Sequence, residues 1–187
     1  MLATAHTMKE ELFHIIKRLS FRKGDFILAS GKRSDYYVDC RLTTLDGRGA
    51  YLIGHLLHDM MEDLHADAVG GMTLGADPII SSILYRSADV GRPLSGFIVR
   101  KEAKGHGVGK QIEGNIAPWM RVVLVEDVVT TGGSTLKAIE AIQKAYPTVQ
   151  IVKILSIIDR NAGGKEAFSR LQIPFESLFD VQALLAE

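Results

Sequence analysis

The stretch Arg121-Val122-Val123-Leu124-Val125-Glu126-Asp127-Val128-Val129-Thr130-Thr131-Gly132-Gly133-Ser134-Thr135 decides how the rest of the chain reads. Its apolar run, Val122 to Val125, is rich in β-branched residues and shows no polar alternation. A strand buried on both faces of a parallel sheet has that pattern. Two adjacent carboxylates, Glu126 and Asp127, end the run, and a loop of small hydroxyl and glycine residues follows. From Ser134 onward the spacing changes, with Leu136, Ile139, Ile142 and Ala145 recurring at three-residue steps as one face of a helix. The unit is therefore strand, acidic pair, Thr/Gly/Ser loop, helix.

Each part of that unit has a chemical use. Backbone N–H groups of a Gly-containing loop at a helix N-terminus form a concave donor site, and the helix dipole favours an anion there. Hydroxyls of Thr130, Thr131, Ser134 and Thr135 add donors for phosphate oxygens. Glu126 and Asp127 fall at the C-terminal strand end, where open α/β sheets bind ligands. Carboxylates repel phosphate, so their partners on the ligand are sugar hydroxyls or a bridging Mg²⁺. The ligand inferred is a phosphorylated ribose. A nucleoside-triphosphate P-loop is excluded, because no Gly-Lys-[Ser/Thr] follows and the loop holds no lysine. Gly132-Gly133 also lacks the G-x-G-x-x-G spacing of a dinucleotide fingerprint. An ordinary buried strand with a helix-capping Asp and a Gly-pair turn explains part of the pattern. The four parts occurring together, in order, favour the ligand site.

The remaining composition sets bounds. A chain of 187 residues suits one compact domain with a real core. Lysine and arginine balance aspartate and glutamate at 22 each, which gives no support for a polyanion-binding surface, so nucleic acid is not an expected partner. Cys40 is the one cysteine, so there is no disulfide framework and no cysteine metal cluster. Met1 to Glu11 holds no apolar stretch of signal-peptide length, and no segment reads as a membrane span. A cytoplasmic protein is expected.

Leu12, Ile15, Ile16 and Leu19 share one face of an amphipathic opening helix. Asp25–Ala29 and Tyr36–Cys40 read as two strands around the turn-rich Ser30-Gly31-Lys32-Arg33-Ser34-Asp35, a candidate hood over the sheet. Gly47 to Leu64 reads as a helix, along which His55 and His58, with His65 just beyond, are expected to be solvent-facing or partly packed rather than metal-bound. Ala68 to Gly71 is a short strand. After it, Met72-Thr73-Leu74-Gly75-Ala76-Asp77-Pro78 is either a second anion site or a plain Gly-rich turn with an Asp N-cap, and the spacing leaves both open. Phe97 to Val99 is a further strand running into Arg100-Lys101-Glu102-Ala103-Lys104-Gly105-His106-Gly107-Val108-Gly109-Lys110, with four Lys or Arg side chains against one carboxylate. Such a long basic, Gly-rich loop suits closure over an anionic ligand. Val149 to Ile158 is another strand ending in Asp159-Arg160. A helix over Lys165–Leu171 and a strand near Phe175–Phe179 finish the chain. Alternating strands and helices predict an α/β fold with a parallel sheet covered on both faces.

Within that reading, the Glu126–Ser134 stretch resembles the phosphoribosyl-diphosphate (PRPP) signature of type I phosphoribosyltransferases. Val99-Arg100-Lys101-Glu102-Ala103-Lys104-x-His106-Gly107 looks like the mobile catalytic loop of the orotate phosphoribosyltransferase family. Ser34-x-Tyr36-Tyr37 resembles that family's N-terminal hood motif, and Asp159-Arg160 its orotate-side Asp-Arg. The resemblance spans nearly the whole chain and implies one domain over 1–187, with a hood from about 1–45 plus a C-terminal segment and a core over about 46–160. It implies transfer of phosphoribosyl from PRPP to orotate in pyrimidine (UMP) biosynthesis. Mg²⁺ would be held mainly through PRPP, in a homodimer whose 100–115 loop is shared across the interface. By that resemblance Glu126 and Asp127 hold the ribose hydroxyls, and Val128, Val129, Thr130, Thr131, Gly132, Gly133 and Ser134 cradle the 5-phosphate. Arg100, Lys101, Lys104 and His106 neutralise the departing diphosphate, with Lys104 and Asp127 as the catalytic residues, and Thr130 and Arg160 contact orotate. Thr73 to Asp77 is a secondary diphosphate wall. The chain departs from many family members at Ala29 and at Leu74-Gly75-Ala76, where lysines are common. Two other readings fit parts of the sequence, a type I phosphoribosyltransferase for another base and a non-catalytic PRPP-sensing regulator. Arg160 argues against a neutral purine, and Lys104 with His106 against lost catalysis.

Overall fold

The computed structural model describes residues 2–27, 33–102 and 110–186. An opening helix α1 (Leu2–Leu19) leads to an antiparallel pair, β1 (Phe21–Ile27) and β2 (Arg33–Val38), which forms a sheet of its own. Helices α2 (Arg41–Thr44) and α3 (Gly47–Asp59) follow. Then come β3 (Ala68–Met72), α4 (Asp77–Asp89), β4 (Ser95–Val99) and β5 (Ile112–Gly114). The second half runs β6 (Arg121–Val129), α5 (Gly133–Ala145), β7 (Gln150–Asp159), α6 (Gly164–Arg170), β8 (Phe175–Asp180) and α7 (Val181–Ala186).

The main sheet has the order β5-β4-β3-β6-β7-β8. Every neighbouring pair is parallel except β4 with β5. From β3 the chain steps outward to β4 on one side, and from β6 outward to β7 and β8 on the other. The reversal between β3 and β6 opens a crevice at their carboxyl ends, the place where sheets of this kind bind ligands.

Two apolar layers hold the sheet. On one face α1, α3, α4 and α7 pack through Leu12, Leu52, Ile53, Ile79, Ile83 and Leu184 against Val69, Val123, Val125, Leu155 and Ile157. On the other, α5 and α6 pack through Ala138, Ile139, Ile142 and Phe168 against Ala68, Val122, Leu124 and Ile154. Each fully buried Leu or Ile in these layers contributes about 1.5–3 kcal/mol of apolar transfer before chain entropy is charged against it. Odd-numbered Val123 and Val125 face the first layer and even-numbered Val122 and Leu124 the second, as strand alternation requires.

Some boundaries differ from the sequence reading. β6 does not stop at the acidic pair. It pairs with β7 as far as Val128 with Ile158 and Val129 with Asp159, so ladder hydrogen bonds keep Glu126 and Asp127 inside the strand. The helix expected over Gly47–Leu64 ends at Asp59, and Glu62–Leu64 is a separate 3-10 turn. Asp46 starts α3 by accepting from Arg48 N and Gly49 N at 3.1 and 2.9 Å, a side-chain cap. The strand pair near the N-terminus begins earlier than expected, at Phe21 and Arg33, and Ala29 lies outside the described residues. On α5 the buried face is Thr135, Ala138, Ile139, Ala141 and Ile142, whereas Ala145 is exposed. Asp77 is not an N-cap: it is the first residue of α4, whose cap position is Ala76 without a side-chain bond. His55 is packed more deeply than expected, its Nδ1 2.8 Å from Tyr51 O and its ring 4.0 Å from the Tyr51 ring.

Candidate active site

Alternation along β6 sends its two acids to opposite faces of the sheet. Glu126 follows Val122 and Leu124 toward α5, where Thr135 Oγ1 donates to its Oε2 at 3.4 Å. Asp127 follows Val123 and Val125 toward the other face. There its Oδ1 accepts from Val128 N at 2.9 Å and lies close over Gly75 of the β3–α4 turn. A Cβ on Gly75 would fall 2.7 Å from that Oδ1, so any larger residue would force the carboxylate aside. Glu126 is 8% exposed. Burial, then the Asp127 carboxyl beside it, pushes its pKa up to about 8. Burial also raises Asp127 above the ordinary aspartate range. At neutral pH such a pair retains a proton, so it can both donate to and accept from neutral hydroxyls.

The β6–α5 turn forms a hollow of about 170 Å³ lined by Glu126 and by Val128 to Thr135. Gly132 stands at the helix N-cap with φ +78°, a left-handed conformation that opens the loop and aims the first amides of α5 outward. The backbone conformation is locked from below, where Gly164 N donates to Thr130 O at 3.1 Å. Thr131, Gly133 and Ser134 are exposed at the rim. N–H groups at a helix start with hydroxyls around them suit one phosphate group.

A larger cleft of about 1000 Å³ adjoins this hollow and shares Glu126, Val128 and Ser134 with it. Its other walls bring together residues distant in sequence: Tyr37 to Asp39 and Arg41, Met72 to Gly75 and Asp77, and Ile98 with Arg100 to Glu102. The Thr73–Leu74 peptide is cis. Asp77 Oδ1 is buried without a hydrogen-bond partner among the described residues, and burial raises the Asp77 pKa. Arg100 donates from Nη1 to Glu113 Oε1 at 3.1 Å, and its N–H donates to Gln111 O across the base of the loop. Five carboxyl groups (Asp39, Asp77, Glu102, Glu126, Asp127) face three cations (Arg41, Arg100, Lys101) among the described lining residues.

Arg160 does not pair with Asp159, which instead accepts from Asn161 N. Its Nε donates to Tyr36 Oη at 2.9 Å, its Nη2 reaches Ser34 Oγ at 3.5 Å, and its guanidinium lies 4.6 Å from the centre of the Tyr36 ring. The two-stranded sheet is thereby tied to the end of β7 across 124 residues. Neither Arg160 nor Thr130 lines the larger cleft; Thr130 belongs to the phosphate-sized hollow. Lys104 and His106 lie outside the described residues. Sequence reasoning missed Asp39 and Arg41 on the cleft wall. The Asp-x-Arg spacing was visible after the Tyr-Tyr pair, but nothing in it said which elements it would face.

A family model described as phosphoribosyl transferase domain matches residues 54–174. An orotate phosphoribosyltransferase of Rhodopirellula baltica is 45% identical over 177 residues, covering 91% of each chain. One from Aquifex aeolicus is 43% identical over 180 residues, covering 95% of this chain and 97% of its own. Among solved structures, Mycobacterium tuberculosis orotate phosphoribosyltransferase in complex with PRPP superposes with a TM-score of 0.80 at 34% identity, covering 95% of this chain and 98% of that one.

Proposed function

The chain belongs to the orotate phosphoribosyltransferase family, and from that premise we infer how its site works. It transfers the phosphoribosyl group of PRPP to orotate, giving orotidine monophosphate and diphosphate. The bond from ribose C1 to the diphosphate oxygen breaks, a bond from C1 to the orotate ring nitrogen forms, and that nitrogen's proton is released. The observation that carries our assignment of roles is the acid pair standing between two turns. Glu126 and Asp127 hold the ribose hydroxyls, and Val128, Val129, Thr130, Thr131, Gly132, Gly133 and Ser134 take the 5-phosphate in the small hollow. The ribosyl carbon then lies over β6 and the diphosphate leaves into the larger cleft. Arg100 and Lys101 line that cleft, and the sequence resemblance adds Lys104 and His106 to the same role. Orotate falls to Thr130 and Arg160, whose guanidinium, braced on Tyr36, presents a planar fork to a carboxylate.

Mg²⁺ fits the cleft, because its described walls are rich in hard oxygen donors and Asp77 Oδ1 lacks a hydrogen-bond partner among the described residues. When bound through PRPP it supplies positive charge against the diphosphate oxygens. A homodimer is supported by aromatic surface: Tyr51 and Tyr85 are 43% and 74% exposed along one groove between α3 and α4. In that dimer the 100–115 loop serves the neighbouring site. A cytoplasmic location is supported by the balanced charge and the lone buried Cys40.

A steady-state assay with PRPP and a panel of bases tests the reading. Turnover with orotate, lost selectively in Arg160→Ala through orotate KM, is expected. Equal loss for both substrates in that variant removes Arg160 from the base site. For the shared loop, Lys104→Ala and Asp127→Asn proteins are mixed. With random pairing activity returns toward about a quarter of wild type, and no recovery despite subunit exchange excludes sharing.

A further inference from the structure

The larger cleft contains one cation whose position is set by geometry near at hand. β2 ends at Val38, Asp39 N is bonded to Ser20 O at 2.9 Å, and the chain turns through the fully buried Cys40 into α2. At that turn the Asp39 carboxylate accepts three times from Arg41: backbone N at 3.1 Å, Nε at 2.8 Å and Nη2 at 2.7 Å. The two side-chain bonds form the parallel fork that fixes a guanidinium in one orientation. They occupy the Nε edge and leave Nη1 uncommitted among the described residues, on a side chain that is 52% exposed.

Both residues line the cleft beside Asp127 and the Thr73–Gly75 wall. The hydrogen bonds from Arg41 lower the Asp39 carboxyl below the usual aspartate range, which favours the charged pair. The three anionic parts of the two substrates need separate partners. The small hollow after β6 accounts for the ribose 5-phosphate, and Arg41 does not line it. Arg160, turned to Tyr36 and Ser34, is the base-side cation under our reading of the reaction, and it does not line the larger cleft. The diphosphate remains. Arg100 and Lys101 already face it under our reading of the reaction, and the described carboxyl groups of the cleft still outnumber its cations. A polyanion entering there gains from a further donor whose orientation is already fixed, and the Asp39 fork fixes Arg41 while leaving its Nη1 edge to the cleft.

We propose that Arg41, oriented by Asp39, contacts the diphosphate oxygens of PRPP through its Nη1 edge. Arg41 is the contact; Asp39 is its positioning residue. The inference rests on the phosphoribosyl-transfer reading above.

The test measures affinity for inorganic diphosphate with Mg²⁺ by calorimetry, PRPP and orotate KM, and melting temperature, for wild type, Arg41→Ala, Arg41→Lys and Asp39→Asn. For Arg41→Ala the diphosphate Kd and PRPP KM rise about 10-fold, the loss of one partly exposed charge-assisted contact, while orotate KM holds. Arg41→Lys, which keeps charge without the fork, falls between. Asp39→Asn weakens diphosphate binding in the wild-type background and adds nothing on top of Arg41→Ala, since it acts only through that arginine. If Arg41→Ala melts early, Arg41→Lys carries the comparison. An unchanged diphosphate Kd in a folded variant overturns the proposal, as does a rise confined to orotate KM. Wild-type protein that binds diphosphate and PRPP yet leaves orotate untouched would refute the reading of the reaction instead, and leave the Arg41 contact standing.

Discussion

The turns after β3 and β6 stand side by side at one sheet edge, yet they are built from opposite materials. The β6–α5 turn offers hydroxyls and helix-start amides around a left-handed Gly132, and receives Glu126 through Thr135. The β3–α4 turn exposes Leu74, presses Gly75 against Asp127, and starts α4 without a side-chain cap. Two adjacent carboxylates thus serve two turns, because neighbouring strand residues point to opposite faces. What differs is the donor supply. One turn carries its own donors around a small hollow, while the other borders a wide cleft whose described cations come from the chain after β2 and after β4.

The largest effect that sharpens this contrast comes from Glu126, on the donor-rich side. Burial raises its folded pKa to about 8, well above the ordinary glutamate value near 4.5. Between those values the folded chain keeps a proton that the unfolded chain has released, so stability falls as pH rises through the window. Glu126→Gln removes the burden of a buried charge. In urea melts from pH 5 to pH 9 the wild-type midpoint declines and the variant's stays flatter, a difference of about 3 kcal/mol at the alkaline end. Parallel declines would mean that Asp127, not Glu126, carries the shared proton.

Next in size is Gly132→Ala. Its φ of +78° strains any L-residue, and the new Cβ would stand 2.8 Å from the Phe168 ring. A loss of about 2 kcal/mol is expected, read as a lower melting temperature. An unchanged melt would show that the left-handed turn is not needed to seat α5. Gly75→Ala breaks the other turn differently. No positive φ is involved, so thermal stability holds, but the Cβ displaces Asp127 Oδ1 and kcat/KM for PRPP falls about 10-fold, or about 1.4 kcal/mol. If stability falls with activity intact, the close approach is structural only. The smallest effect belongs to Thr135→Val. Its 3.4 Å bond favours the ionised Glu126, so removing it costs about 0.5–1 kcal/mol and moves the stability decline to higher pH.

Much of this was legible in the residues themselves. The unbroken Val122–Val125 run announced a doubly covered strand, and the change to three-residue spacing after Ser134 announced α5. The hollow after β6 was readable for the same reason, being a local object made largely by eight consecutive residues, Val128 to Thr135. Both depend on interactions between residues close in sequence, where periodicity and turn chemistry act directly.

Only the tertiary structure decided the rest. Whether Asp127 would meet Gly75 depended on β3 and β6 becoming neighbours, a pairing across more than fifty residues that no local pattern encodes. The end of β6 was missed because pairing with β7, rather than residue preference, holds two carboxylates in a strand. For Asp77 the spacing left a helix cap and an anion-site loop both open, and packing made it the first residue of α4 instead of its cap. Arg160 could have met Asp159 beside it and met Tyr36 instead, and Arg41 joined the larger cleft when the turn after β2 placed it on the same wall system as Asp127. Sequence determined which elements form and which groups can bind phosphate, because those follow from short-range sterics and hydrogen bonding. Packing determined which charges share one cleft, because burial and the sheet's strand order bring together groups that the chain itself keeps far apart.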